Sequence, residues 1–472
     1  MKKTIISAVL ILAAAVSVSA QSRTSYFVRN STQSHNFNAA FVPDQGYVGF
    51  PILTNIDLQV ASNLGAKSIF YPLEGGNTGL FLNGQVSTED FLSTIRKNNY
   101  LDMDFGYELI NAGWFTGKDS FWTLSFGAKV NVESSLPYDF FRLLKDGMYD
   151  NPSSYTIENM GLGAQVYGQV ALGYSRGLDG LVEGLRVGGK VKFLVSMADI
   201  ELNVNRMDLS LGSESWDVTS KATASVLGGG IGVGYNEDGY LNSIYMDPSG
   251  LGVGGFGAAF DLGVEYILSE DTPVDGMRFS LSVTDLGFIS YNKSRSKMLR
   301  GEDQFSYTGF DNIGIDGSGM GTDALMSELM EMTALKEETV DKNPVRSLAA
   351  TLYAGVDYPF LDDKMNVGLL YSARFGRFYT ENELTVAWNY SPVRSFNIAL
   401  SYSLLKTHST LGWLITFVPK RGIGIFVGSD YTPLNYTALK FDGFKLPVPA
   451  REFYLDVNFG LTISLGGSNR RY

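Results

Sequence analysis

Cysteine is absent from the whole 472-residue chain. Its absence excludes disulfide scaffolds, thiolate metal sites, thiol catalysis and the acylated cysteine on which a lipoprotein anchor depends. Histidine is nearly absent as well. His35 and His408 are the only two, and neither has a partner at Glu-x-x-His or His-x-x-x-His spacing. Each reads as a solvated side chain in a polar stretch, and a Ser–His hydrolase built on His408 ranks behind every non-enzymatic reading. Basic residues are in deficit, with a formal charge of -12. Nucleic acid and other polyanions call for a clustered basic surface, so no nucleic-acid partner is expected. Past residue 20 no stretch offers the ~18 unbroken apolar residues of a spanning helix. Proline is scarce beside glycine, 14 against 53, which sets the chain apart from proline-rich disordered polymers.

What is present begins with Met1-Lys2-Lys3, an apolar stretch from Ile5 to Val16, and Ser17-Val18-Ser19-Ala20 before Gln21. A charged start, a short apolar core and small residues at Val18 and Ala20 predict a secretory signal peptide over residues 1–20, cut after Ala20. Losing Lys2 and Lys3 takes the charge to -14.

The stretch Leu101-Asp102-Met103-Asp104-Phe105-Gly106-Tyr107-Glu108-Leu109 alternates strictly between large apolar residues and acidic residues or glycine. A strand sends successive side chains to opposite faces, so one face is apolar and the other wet. The same two-residue period recurs at Trp122–Val130, Phe256–Tyr266, Leu384–Tyr390, Phe396–Tyr402 and Phe453–Ile463. Many of these runs reach the ~9–11 residues that cross a bilayer at a tilt and exceed the ~5–6 of soluble strands. Aromatics recur near run ends, as at Tyr266, Tyr358, Tyr390, Tyr402 and Phe417. In hydrocarbon a sheet must join its edges, since every backbone group has to pair internally. The prediction is an all-β fold, a transmembrane antiparallel β-barrel of 14 to 16 strands. Leu101, Met103, Phe105, Tyr107 and Leu109 then face lipid, and Asp102, Asp104, Glu108, Asp261 and Glu265 are candidate lumen-facing residues. Interior carboxylates of this kind could make a cation-favouring lumen or a calcium site; the preferred reading is that they simply wet the lumen, paired with Arg186, Lys190 or Lys192.

The count is sixteen if residues 52–62 form a wall strand and residues 184–211 fold into two; it is fourteen if the first run lies inside and the second is one long strand. Connections at Ser391–Arg394 and Lys420–Gly422 are tight, whereas those around 134–163, 286–346 and 432–451 are long, which places the tight ones on the periplasmic side. Short helices interrupt the pattern. Ser87-Thr88-Glu89-Asp90 reads as a capping box for a helix through Ile95, Pro137 opens one through Leu144, and Asp323–Lys336 has helical spacing.

No motif carries chemistry. Gly252-Val253-Gly254-Gly255-Phe256-Gly257 fits the dinucleotide pattern but continues as an alternating strand, and Asp311–Gly317 lacks the ligand spacing of a calcium loop. No cofactor, metal or catalytic residue is expected.

Three stretches together resemble a family of Bacteroidota outer-membrane β-barrel proteins. They are Asn38-Ala39-Ala40-Phe41-Val42-Pro43 with Phe50-Pro51, then Gly188–Leu194, then Ser282–Phe288. That family is similar in architecture to long-chain fatty-acid transporters and to the PorV shuttle of type IX secretion, and Ala39 stands where its first motif has proline. Likeness to the transporters implies a lumen plug, for which residues 21–51 serve, ahead of a barrel over 52–472. Likeness to the shuttle implies external loops that hold an envelope protein partner. Tyr472 resembles the terminal aromatic read by barrel-assembly machinery. The expected function is passage of a small hydrophobic solute across the outer membrane by a barrel solvated in its lipid; the alternative is a non-enzymatic protein-binding platform in a secretion or envelope complex.

Overall fold

The computed structural model describes residues 23–50, 53–74, 78–117, 119–146, 153–212, 216–268, 274–307, 330–405, 409–432, 436–441, 444–450 and 452–466. Fourteen antiparallel strands close on themselves. The first, β1, runs through Gly46–Gly49 and resumes at Asn55–Ser62, with a turn between the halves where Leu53 N donates to Phe50 O at 3.1 Å. Then follow β2 (Leu101–Thr116), β3 (Ser120–Pro137), β4 (Ser153–Gly177), β5 (Leu185–Leu211), β6 (Gly255–Ile267) and β7 (Arg278–Tyr291). The second half comprises β8 (Ala350–Phe360), β9 (Met365–Phe375), β10 (Thr380–Val393), β11 (Phe396–Leu405), β12 (Ser409–Phe417), β13 (Gly422–Thr432) and β14 (Phe453–Gly466). Each pairs with its chain neighbour, and β1 pairs with both β2 and β14, so no edge is left in the ring. Residues 184–211 thus make one long strand, and the wall begins at Gly46.

Strand ends alternate in character. The turns after β2, β4, β6, β8, β10 and β12 are short and lie at the end where β1 starts opposite Gly466. The connections after β1, β3, β5, β7 and β13, all of them longer, lie at the other end. Two of them contain the expected helices. α1 is Thr88–Leu92, with Ser87 Oγ accepting from Asp90 N at 3.0 Å, and α2 is Tyr138–Asp146, directly after Pro137. The helix expected at 323–336, the loop 311–317 and His408 lie largely or wholly outside the described residues.

The cover over the wall's outer face changes along a single strand. In the first half of β5, Val187, Val191, Phe193 and Met197 point outward and exposed while Lys190, Lys192, Leu194 and Ser196 are buried inside. Farther along, Asn205, Arg206 and Ser210 are exposed and Leu202, Val204, Met207, Leu209 and Leu211 are buried. A bulge at Met197 resets the phase, so that Asp199 and Glu201 continue the polar inner face while Leu202 and Val204 continue the apolar outer one, which is covered there by other chain instead of being exposed. An exposed apolar band meets hydrocarbon, and its end marks the return to water.

Above that level the strand Trp216–Gly228 takes the place of β6 beside β5, and Ser296–Tyr307 pairs with it. These runs are strands of an extension and not of the ring, which is why the ring counts fourteen. Trp216, Val218, Ala222 and Ala224 alternate with exposed Asp217, Thr219, Lys221 and Thr223, and their buried face joins Tyr155, Ile157, Leu299, Met332 and Leu335 in one apolar core.

In β2 a bulge between Glu108 and Ile110 adds a residue. Beyond it Ile110 and Trp114 are the exposed ones and Asn111 is fully buried, so the alternation read from Leu101 holds to Glu108 and then changes phase, with Leu109 at the break.

Candidate functional site

Residues 23–45 run inside the ring, with two single-turn 3₁₀ segments at Arg23–Ser25 and Ser34–Asn36. At the short-turn end the rim holds them: Arg29 faces Asp363 at 3.4 Å, Asn30 Nδ2 donates to Arg394 O at 3.0 Å, and Gln45 Nε2 donates to Pro419 O at 2.7 Å. Deeper in, Asn38 Nδ2 donates to Val264 O at 3.1 Å, and Asn38 Oδ1 accepts from Ala40 N at 2.9 Å. Ser282 Oγ donates to Phe37 O at 2.7 Å, and Asn366 Nδ2 to Phe27 O at 3.1 Å. The seat is cut to fit. A methyl group on Gly188 would overlap the Ala39 carbonyl, and one on Gly263 would overlap the Asn38 side chain. The three stretches quoted above for their family likeness, around Asn38, Gly188 and Ser282, therefore meet in one place.

Tyr26, Phe27, Phe37 and Phe41 form an aromatic cluster with Tyr353 and Leu370 of the wall. The Arg278 guanidinium lies 4.8 Å over the Phe41 ring and is held by Asp357 at 2.5 Å and Glu265 at 3.2 Å.

His35 is only 2% exposed, so it is not the solvated side chain its polar neighbours suggested. Lys190 Nζ lies 3.1 Å from His35 Nδ1. An ammonium can only donate, so Nδ1 accepts and Nε2 keeps its proton. That proton goes to Tyr47 Oη at 2.5 Å, and Tyr47 donates on to Asn111 Oδ1 at 2.8 Å. Burial first, and then the Lys190 ammonium, hold the His35 imidazole well below its ordinary value, hence neutral. The bland structural role and a proton-sensing one are both compatible with this geometry; a ligand role is not, because both nitrogens are occupied.

Next along the wall, Lys192 Nζ is 2.7 Å from both Asp261 Oδ1 and Asp285 Oδ1, and Lys129 reaches Asp285 Oδ2 at 3.1 Å. Asp285 has a backbone φ of 56°, rare outside glycine, and its N–H donates to Asp261 Oδ1 at 2.8 Å. Two cations and a carboxylate thus fix a strained bulge inside the barrel.

Above residues 23–45 lies a polar compartment of about 130 Å³. Arg23, Asp104, Lys129, Asp285, Thr351 and Arg374 line it, and its cations are matched by acids. Arg23 Nη1 meets Glu383 at 2.7 Å, and Arg374 meets both Asp104 and Glu133 at 3.1 Å.

The five carboxylates singled out from sequence fall into separate groups. Asp104 borders the compartment; Asp102 accepts from Ser134 N at 2.9 Å and from the Tyr379 hydroxyl. Glu108 accepts from Asn111 Nδ2 at 2.7 Å beneath His35, Asp261 joins the lysine bulge, and Glu265 joins Arg278. Lys190 and Lys192 are partners of Asp261, whereas Arg186 Nη1 donates to Asp119 O at 3.1 Å in a turn. Arg23, Asp285, Arg374 and Arg377 went unnoticed as site residues. Basic residues at inward positions of predicted strands are the available signal for Arg374, Asp285 lies within the stretch Ser282–Phe288, and nothing local marks Arg23 or Arg377.

Among the described residues no group of three or more His, Asp or Glu is arranged to hold a metal ion. A model of a family described as a family of unknown function (DUF5723) matches residues 39–430. No curated protein matches the chain. Among solved structures it is similar to the Ralstonia pickettii toluene transporter TbuX, at 8% identity and a TM-score of 0.38, over 95% of this chain and 99% of that one. It is similar also to the P. putida toluene transporter TodX, at 10% identity and 0.36, over 96% of each chain. The monoaromatic hydrocarbon channel CymD gives 9% and 0.38, over 95% of this chain and 98% of that one.

Proposed function

We propose that this chain, which belongs to DUF5723, a family of unknown function, is an outer-membrane barrel that passes a small, mainly hydrophobic solute, with residues 23–45 as its plug. The observation that carries this reading is the internal compartment above a segment held by side-chain hydrogen bonds and fitted contacts rather than by strand pairing. Such a segment shifts without unzipping the wall. The size of the compartment, about 130 Å³, sits near the ~150 Å³ apolar cavity that takes up benzene, so a single ring or a short chain is the scale of the cargo. Its charges already neutralise one another in pairs, which lowers the cost of replacing water by an uncharged body.

The outer mouth supports the apolar part of the reading. Leu64, Val86, Phe91, Ile95 and Phe141, from the connection after β1 and from α2, form a cluster with half-buried Tyr71, Phe81 and Tyr138 around it. A hydrophobic molecule arriving from water would meet the half-buried Tyr71, Phe81 and Tyr138 first, with the buried side chains behind them. Nothing in this scheme needs a catalytic group.

The experiment is conductance and uptake by purified full-length protein in planar bilayers and liposomes. Removing residues 23–45, or weakening the seat through Gly263→Leu, should raise flux of small uncharged aromatics at least tenfold over wild type. Equal and negligible flux through all three proteins would remove the channel reading.

A second reading rests on the extension. A sheet with its own apolar core beyond the membrane band is more structure than a pore requires, and it suits a platform for an envelope protein. Gently solubilised membranes should then yield one stoichiometric companion; recovery of the barrel alone would weigh against it.

A further inference from the structure

The turn Gly376–Tyr379 joins β9 to β10 and closes on itself through Gly376 N donating to Tyr379 O at 3.1 Å. Its outward neighbours ought to be water. Instead the turn bends inward. Arg377 Nη2 meets Asp199 Oδ2 at 2.5 Å, Arg377 Nη1 meets Glu201 Oε2 at 3.2 Å and donates to Ile200 O at 3.1 Å, and the Arg377 N–H donates to Glu133 Oε2 at 2.5 Å. Tyr379 Oη donates to Asp102.

None of these partners is on a neighbouring strand. Asp199 and Glu201 belong to β5, with β6, β7 and β8 between them and β9 in the ring; Asp102 belongs to β2, on the other side of the closure through β1. The four residues therefore lie as a chord across the bore. The far wall is shaped for them: a methyl group on Gly161 would overlap the Phe378 ring, and one on Gly163 would come within 3.0 Å of the Arg377 side chain. Asp199 is fully buried, and Arg346 Nε shares it at 3.3 Å. Directly beneath is Arg374, which lines the compartment.

We propose that this turn is a latch that shuts the compartment on the long-loop side, so that the barrel has two closures, the segment 23–45 below and Gly376–Tyr379 above. The inference deepens the channel reading and rests on it for its purpose. Two ion pairs of Arg377, its hydrogen bonds to Glu133 and Ile200, and that of the Tyr379 hydroxyl to Asp102 hold the latch, all of them outside the strand pairings that join β9 and β10 to each other and to their neighbours. Release of Arg377 from Asp199 and Glu201 is the opening step, and Arg346 stays behind to cover the two carboxylates, which reduces the charge left unpaired in the wall.

The native chain lacks cysteine, so a single thiol is a clean reporter. Thr351→Cys places it on the compartment wall of the full-length protein, held in lipid nanodiscs and challenged with a small charged methanethiosulfonate. With the latch intact its modification should be at least tenfold slower than that of Asp139→Cys on α2, where the Asp139 side chain is 40% exposed. Adding Arg377→Ala or, separately, Phe378→Ala should speed it at least tenfold, and 1 M salt should speed the intact protein toward the same rate. Heat-modifiable gel migration establishes that each variant is a closed barrel. Unchanged rates in both variants, or fast modification with the latch intact, overturn the latch. Fast modification in the variants, with no solute flux even when residues 23–45 are also removed, would keep the latch and remove the channel; flux with unchanged rates would do the opposite.

Discussion

His35 illustrates how a single buried group ties the segment to the wall. Its neutral ring accepts from Lys190 and donates to Tyr47, and a second proton would have to sit on Nδ1, facing the Lys190 ammonium with Lys192 nearby. Because the folded value lies below the ordinary ~6.5, the unfolded state binds a proton that the folded state refuses. Seating of residues 23–45 should therefore be unaffected above about pH 6.5 and weaken as pH falls from there toward the lowered folded value. Protease sensitivity of the segment, followed from pH 8 to pH 4.5, reads this directly. His35→Gln, which cannot take the proton, should flatten the profile; identical profiles for the two proteins would count against a sensing role. Gly188 offers a second residue-scale test. Gly188→Val should expel Ala39 from its seat and expose the segment to protease while the barrel keeps its heat-modifiable migration, since the strand itself tolerates a β-branched residue.

At the scale of elements, the extension above the membrane band behaves as a unit with its own core. Trp216→Ala should cost that unit about 3–5 kcal/mol, and hydrogen exchange should rise in 198–211 and 216–228 without rising in β9 to β14. A uniform rise over all strands would show instead that wall and extension unfold together. Individual strands were the most legible feature of the sequence, because alternation at Trp122–Val130 or Phe396–Tyr402 states directly which face meets which medium. Their assembly was less so. The bulge at Leu109 adds one residue with no change in composition, and the long β5 carries its apolar outer face from the exposed band into the core of the extension, so neither a phase change nor a membrane boundary is visible to periodicity alone. The same limit hides the site. Asp104 was readable as inward, but its neighbour Arg374 is 270 residues away in the chain, and Arg377 lies in a turn that no local pattern sends across the bore.

For the molecule as a whole, the outward apolar band predicts where charge is forbidden. Val191 lies between Val187 and Met197 on the outside of β5, 55% exposed, and Val191→Arg should lower stability in lipid by about 2–4 kcal/mol if it meets the hydrocarbon midplane. Thr219→Arg, exposed on the extension, should cost almost nothing. Equal effects of the two, measured by unfolding in bilayers, would place both in one medium and dissolve the partition on which the barrel reading depends. The seam between the first and last strands has a further consequence. Residues 23–45 lead straight into β1, and β1 is sealed against β14, the last strand of the chain. A pull on residues 23–45 from below would therefore load the pairings of β1 with its two neighbours before any other joint in the wall.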